Sequence, residues 1–218
     1  MADRRRHGGF TVLEIVVVLA VIGALTAVVA PMAFTYMRDA QRTQAQNDAN
    51  RIAEAIGKFL QDVGIPPYKN NTSSPKSQVK QAGDFDCLYS SAGADHSTTT
   101  DVTAGDSWTS GAGVQCQTGS STRDTLENHL ITNTPGASAT KSYGTTGKTA
   151  WKGPYLQSIP PDPWGNRYLV NIGKIDPSIN KGVWVISAGP NGTIETGSDA
   201  NAASSFTPGG DDIIARLK

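Results

Sequence analysis

Histidine is scarce in this chain, three in 218 residues, cysteine scarcer still at two, and aromatic side chains make up 7%. No Cys/His set at zinc-ligand spacing can be assembled from so few. Gly-x-Ser-x-Gly, a phosphate loop and His-Glu-x-x-His are all missing, so the reading as a membrane-tethered hydrolase finds no motif, and the scattered Ser and Asp suit a polar surface. No catalytic residue and no enzyme activity are expected. A charge excess is missing too, with 19 Lys+Arg against 19 Asp+Glu. Beyond Gly9 the balance is 16 basic against 18 acidic residues, which leaves no basic domain to hold nucleic acid. The length suits one modest domain and excludes a large multidomain enzyme.

The mean hydropathy of −0.31 conceals a sharp break in composition. From Phe10 to Ala30 the sequence FTVLEIVVVLAVIGALTAVVA has 21 residues and one ionisable side chain. At about 1.5 Å per residue, a helix of that length spans roughly 31 Å, the thickness of a bilayer core. A removed signal peptide, an ordinary signal anchor and an anchor with a trimmed basic leader all fit that composition. Arg4, Arg5 and Arg6 precede the run and no comparable cluster follows it, which predicts a cytoplasmic amino terminus and an extracytoplasmic remainder. Glu14 lies inside the run, where a mid-membrane carboxylate costs about 2.5 to 3.5 kcal/mol. It therefore calls for headgroup contact or a counter-charge from another chain. If the leader is cut after Gly9, the new α-amino group of Phe10 is such a counter-charge.

Gly9-Phe10-Thr11-Val12-Leu13-Glu14, after a short basic leader and before an apolar run, resembles the type III leader of type IV pilins and type II secretion pseudopilins. The resemblance implies that a prepilin peptidase cuts between Gly9 and Phe10, that the Phe10 amine is methylated, and that Glu14 pairs with the amine of a neighbouring subunit. Pro31 fits the helix-loosening proline of those proteins; locally it removes one backbone donor.

From Met32 the pattern becomes one-sided. Met37, Ala45, Ala49, Ile52, Ala53, Ile56, Phe59, Leu60 and Val63 recur at three- and four-residue steps, and Gly64 with Pro66 and Pro67 supplies a stop. One helix over about 11 to 63 is predicted, its amphipathic part (31–64) ready to receive a sheet. Residues 68 to 150 hold 44 Ser, Thr, Gly and Ala in 83 positions, too few large apolar groups for a core of their own. On the extracytoplasmic side the lone pair Cys87 and Cys116 reads as a disulfide, closing a loop of about 30 residues for roughly 3 to 4 kcal/mol of stabilisation. Asp124 and Glu127 suggest a capping box opening a short helix over about 125–131. His129 within it, like His96, reads as a surface or packing residue.

Residues 167–172 and 182–188 are predicted strands of an antiparallel pair. Gly153-Pro154-Tyr155-Leu156, Asp162-Pro163-Trp164-Gly165-Asn166, Ser187-Ala188-Gly189-Pro190-Asn191-Gly192 and Gly210-Asp211-Asp212-Ile213 resemble the major pseudopilin family of type II secretion more closely than fibre-forming pilins. Leader and carboxy-terminal signature together cover about half the chain, at its two ends; the 68–150 middle is longer than that family's usual connection, and its cysteine pair is more like that of pilins. The resemblance implies an α+β, type IV pilin-like fold: a long helix, transmembrane then amphipathic, packed on a small antiparallel sheet. The expected division is a leader (1–9), a membrane or filament-core helix (10–30), the amphipathic helix (31–64), the polar insertion (65–150) and the sheet with its last loop (151–218).

The resemblance also implies structural Ca2+ in that last loop. Asn191, Asp199, Asp211, Asp212 and the Ala188 carbonyl are the candidate ligands, a suitable set of hard oxygens for a six- to eight-coordinate cation. Asn191 stands where the family often has an acid, so one charge is lost. The expected role is a subunit of a homo-oligomeric periplasmic filament, the pseudopilus, anchored in the inner membrane. Its expected partners are minor pseudopilins, prepilin peptidase, the inner-membrane assembly platform and the secretion ATPase. The alternative is a type IV pilin of a surface fibre, with the insertion facing outward.

Overall fold

The computed structural model describes residues 10–67, 83–95, 97–98, 108, 116, 123–176, 181–198 and 207–217. The chain forms two compact units, Met1–Gln41 and Arg42–Lys218. A helix, α1 (Val12–Val63), contributes residues to both and matches the predicted span. In the first unit its large apolar side chains are exposed, from Val12 through Met37. By length and composition this helix can cross a membrane. Pro31 lies within it, leaving the Ala27 carbonyl without the usual amide partner, and the Thr35 hydroxyl donates to the Pro31 carbonyl at 3.2 Å. Met37, expected in the core stripe, belongs to this exposed stretch.

In the second unit α1 buries Ala45, Ala49, Ile52, Ala55, Ile56, Phe59 and Val63, the one-sided set that a 3.6-residue period aligns. Gly64 ends the helix at φ 72°, its N–H donating to the Leu60 carbonyl at 3.0 Å, a left-handed cap that favours glycine. The strands are β1 (Cys87–Tyr89), β2 (Ser97–Thr98), β3 (Arg123–Thr125), β4 (Leu169–Val170), β5 (Trp184–Ser187), β6 (Thr193–Ile194) and β7 (Ile213–Arg216). Five of them form a sheet ordered β3-β1-β4-β5-β7, with β1 and β3 parallel and the other pairs antiparallel; β2 and β6 pair separately. The predicted antiparallel pair is present as β4 and β5, in register Leu169 to Ile186 and Val170 to Val185.

That register gives the sheet two apolar faces. Val170, Val185 and Ala215 join the helix stripe in one core, together with Phe85, Leu88, Leu126, Leu130 and Tyr143. Leu169 and Ile186 point the other way, into a second core with Cys87, Trp108, Cys116, Ala188 and Ile194. Phe85, Leu88, Trp108, Leu126 and Leu130 of the polar insertion thus join cores shared with the rest of the unit.

Both predicted strands are longer than the observed ones. Asn171 ends β4 by turning its side chain into a connector: Nδ2 donates to the Gly182 and Ser198 carbonyls at 2.9 Å each, and Oδ1 accepts from the Trp184 amide at 2.7 Å. The short helix forms as α2 (Leu126–Leu130), but not through a capping box. Thr125 stands at its N-cap without a side-chain bond, and Glu127 instead accepts from the Ser91 amide at 3.0 Å.

Asp124 accepts from the Thr125 amide, Asn128 and the Gly136 amide at 2.6 to 2.8 Å, and its Oδ2 lies 2.9 Å from His129 Nε2. His129 is fully buried, with Nδ1 2.6 Å from the Tyr143 hydroxyl, so it is a packing residue of the core. Burial raises the Asp124 pKa, but His129, Gly136 and Asn128 together bring it below the usual 3.8. Burial and the nearby carboxylates of Asp124 and Asp84 hold the Tyr143 phenol well above 10.

Phe59 is fully buried where the helix meets this network, edge-on to Tyr143 at 4.9 Å and to Tyr155 at 5.7 Å. Phe59→Ala is expected to lower the unfolding free energy by about 3 to 5 kcal/mol, measurable by chemical denaturation of the full-length protein in detergent.

Candidate functional site

The first site residues lie at the start of α1. Phe10 is 79% exposed and Glu14 is exposed in the first helical turn. Thr11 immediately precedes the helix, and its hydroxyl accepts from the Glu14 amide at 3.2 Å. Thr11-x-x-Glu14 is the spacing at which an N-cap threonine satisfies the third helical N–H, and a carboxylate in that turn opposes the positive end of the helix dipole. The sequence carried this signal, overlaid by the leader motif. Gly9 lies outside the described residues.

The carboxy-terminal signature is organised by Asp162, which is almost fully buried. Its Oδ1 accepts from the Trp164 and Asn166 amides at 3.0 and 2.7 Å, folding Asp-Pro-Trp-Gly-Asn into a turn in which Gly165 takes φ 92°. Its Oδ2 accepts from the Ser187 hydroxyl at 2.7 Å, and Ser187 Oγ in turn receives the Gly189 amide at 3.2 Å. The turn before β4 is thereby tied to the end of β5, where the last loop departs.

That loop brings Gly189 and Asn191 against Asp211, with Asp212 next in the chain. Gly189 adopts φ 65°, and a Cβ there would stand 2.4 Å from the Asp211 carbonyl oxygen, so only glycine permits this approach. The Asn191 amide donates to Asp211 Oδ2 at 3.2 Å, while Asn191 Oδ1 accepts from the Thr193 amide at 2.7 Å. Asp212 Oδ2 accepts from the Glu195 and Thr196 amides at 2.9 and 2.6 Å.

Glu195 was not among the expected residues. Its Oε2 accepts from Asn191 Nδ2 at 3.3 Å and from the Asp211 amide at 3.2 Å. It puts a carboxylate beside the position where Asn191 lacks one, and the signal was an acid four residues after that asparagine. Asp211 Oδ1 and Asp212 Oδ1 are buried without a hydrogen-bond partner. Burial raises the Asp212 pKa above the usual 3.8 and Glu195 adds to it, against the hydrogen bonds from Thr196 and Glu195. Two orphaned carboxylate oxygens beside an acidic neighbour suit a hard cation. Among the described residues no three His, Cys, Asp or Glu side chains converge as a metal-binding set, and Asp199 lies outside those residues.

Cys87 and Cys116 are joined in a disulfide with Cα atoms 5.3 Å apart, both buried in the second core. Arg123 runs from β3 to this region, donating to the Cys116 carbonyl at 2.7 Å and stacking 3.9 Å over the Tyr89 ring.

Comparison with known proteins matches residues 123–205 to the family model of the type II secretion system (T2SS), protein G. Residues 4–30 match the prokaryotic N-terminal methylation motif. Among curated proteins the chain is similar to the type II secretion system core protein G of Pseudomonas aeruginosa, 37% identical over 60 residues, 28% of this chain and 42% of that protein. It is also similar to the fimbrial protein EcpC of Eikenella corrodens, 34% identical over 62 residues, 28% of this chain and 40% of that protein. The chain thus spans about two fifths of the length of the curated relatives it matches. No solved structure matches. The chain is thus similar to the N-terminal methylation motif over residues 4–30 and to type II secretion system protein G over residues 123–205, within its carboxy-terminal unit.

Proposed function

We propose that this protein is the major pseudopilin of a type II secretion system, a structural subunit that assembles into a periplasmic filament driving protein export. The observation that carries the reading is the union, in one chain, of a methylation motif on an exposed apolar helix with a protein G-like domain. In this reading prepilin peptidase cuts between Gly9 and Phe10 and the Phe10 amine is methylated. The exposed apolar face of α1 is covered by lipid before assembly and by neighbouring helices after it. Minor pseudopilins, the inner-membrane platform and the secretion ATPase are the assembly partners, and the domain beyond the membrane is periplasmic. Deleting the gene tests this by quantitative proteomics of supernatant and periplasm. Exoproteins stranded in the periplasm are expected; an unchanged secretome with lost surface fibres would make the chain a pilin.

Glu14 has the assembly role. Its amide is satisfied by Thr11 within the chain, while its exposed carboxylate is free to meet the Phe10 ammonium of a neighbour, an attraction strengthened out of water. Glu14→Ala is expected to insert normally and to leave few or no filaments, scored by membrane fractionation and electron microscopy; normal filaments would refute the role.

The last loop has the cation role. Asp211 and Asp212 would direct their orphaned oxygens at a calcium ion, with Asn191, Asp199, Glu195 and the Ala188 carbonyl as further oxygen donors. Calcium would supply the positive charge that this cluster lacks. Because the Asp212 pKa is raised, its ionised form works against folding at pH values above that pKa when no cation is present. Asp212→Asn is therefore expected to raise Tm in chelator at pH 7 and to abolish the rise that millimolar calcium gives the wild type, read by thermal denaturation.

A further inference from the structure

The indole of Trp108 is the link between the disulfide-closed insertion and the acidic loop. Trp108 is fully buried in the second core, and its Nε1–H donates to the Thr196 carbonyl at 2.7 Å. Its own carbonyl accepts from the Cys116 amide at 2.8 Å, so the tryptophan is held one hydrogen bond from the disulfide. Thr196 is gripped at each polar group: its carbonyl by Trp108, its hydroxyl by the Gly209 amide at 3.0 Å, and its amide by Asp212 Oδ2 at 2.6 Å.

Those three contacts fix the direction of the Thr196 amide. That amide, with the Glu195 amide, fixes which way the Asp212 carboxylate turns. With Oδ2 committed to the two N–H groups, Oδ1 is the oxygen left buried and unpartnered. We propose that Trp108 is a positioning residue of the acidic loop, anchored by the Cys87–Cys116 disulfide, and that it sets the loop's calcium affinity by holding Thr196 and through it Asp212. This rests on the cation reading of the loop. It gives the insertion a task inside the domain: Trp108 and the disulfide cover the sheet's second face and hold the loop through Thr196.

Trp108→Phe tests the proposal, because it keeps an aromatic ring in the core and removes the N–H. Phe59→Leu, in the helix-facing core, is the control for general destabilisation. Both are made in the full-length protein in detergent and compared with the wild type. Amide hydrogen exchange at Glu195 and Thr196 is measured in chelator, and calcium chloride is titrated by isothermal calorimetry.

Loss of one buried hydrogen bond should speed exchange at those two amides, and weaken calcium binding, by roughly three- to tenfold in Trp108→Phe. Phe59→Leu should leave calcium affinity unchanged. The double variant Cys87→Ser/Cys116→Ser should move both readouts in the same direction as Trp108→Phe. Unchanged exchange in Trp108→Phe, or equal weakening of calcium by Phe59→Leu, overturns the positioning role. A wild type that takes up no calcium overturns the cation reading and the claim on affinity. The exchange comparison, made without cation, then decides the positioning role separately.

Discussion

The carboxy-terminal unit depends on one apolar stripe, the Ala45 to Val63 face of α1. The strands it supports are two to four residues long and contribute few ladder hydrogen bonds. A ladder that short is marginal in water, so stability must come from burial on the faces of the sheet. The stripe covers one face as a rigid rod already folded by its own hydrogen bonds. Val170, Val185 and Ala215 need no long strands to reach it.

The opposite face explains the insertion. A two-residue strand buried on one side only would expose Leu169 and its partner Ile186 to water. The second core covers them with Trp108, the disulfide and Ile194. In a segment dominated by Ser, Thr, Gly and Ala, one tryptophan and one covalent closure offset the lack of aliphatic side chains. The described apolar residues that the insertion gives to the second core therefore fall where the sheet has apolar surface to cover.

What could be read from sequence follows from the range of each interaction. The helix was legible because its period repeats over five turns between Ala45 and Val63, and its stop because Gly64 is a local device. β4 and β5 were legible as Val/Ile-rich runs, but their ends were not, since Asn171 takes over the bonding by reaching Gly182 and Ser198. β1 and β3 are three residues each, too short to give a period of two, whereas β7 alternates buried and less buried residues but follows directly on the acidic Asp211-Asp212 turn. Asp124 and Glu127 had capping spacing, yet the Gly136 and Ser91 amides, 12 and 36 residues away in the chain, claimed their oxygens. The same limit hid Glu195, whose relevance comes from Asn191 and Asp211 folding back on it. The cysteine pair, in contrast, had one possible partner each.

Buried carboxylates do much of the turn-making that short strands cannot. Asp124, Asp162 and Asp212 each collect backbone N–H groups, the geometry in which an acid substitutes for regular structure. They differ in what balances the charge. Asp124 faces His129, and its pKa falls. Asp212 faces Glu195, and its pKa rises. A neutral side chain could fill the same turn-making role, since an amide oxygen also accepts from two backbone donors. Instead the loop keeps two adjacent acids, each with a buried oxygen that nothing in the described chain satisfies, and has a third carboxylate nearby. The same device, a buried carboxylate collecting backbone N–H groups, thus sits in two opposite environments within one small domain: against burial, a histidine draws the Asp124 pKa down, and burial with a nearby carboxylate pushes the Asp212 pKa up.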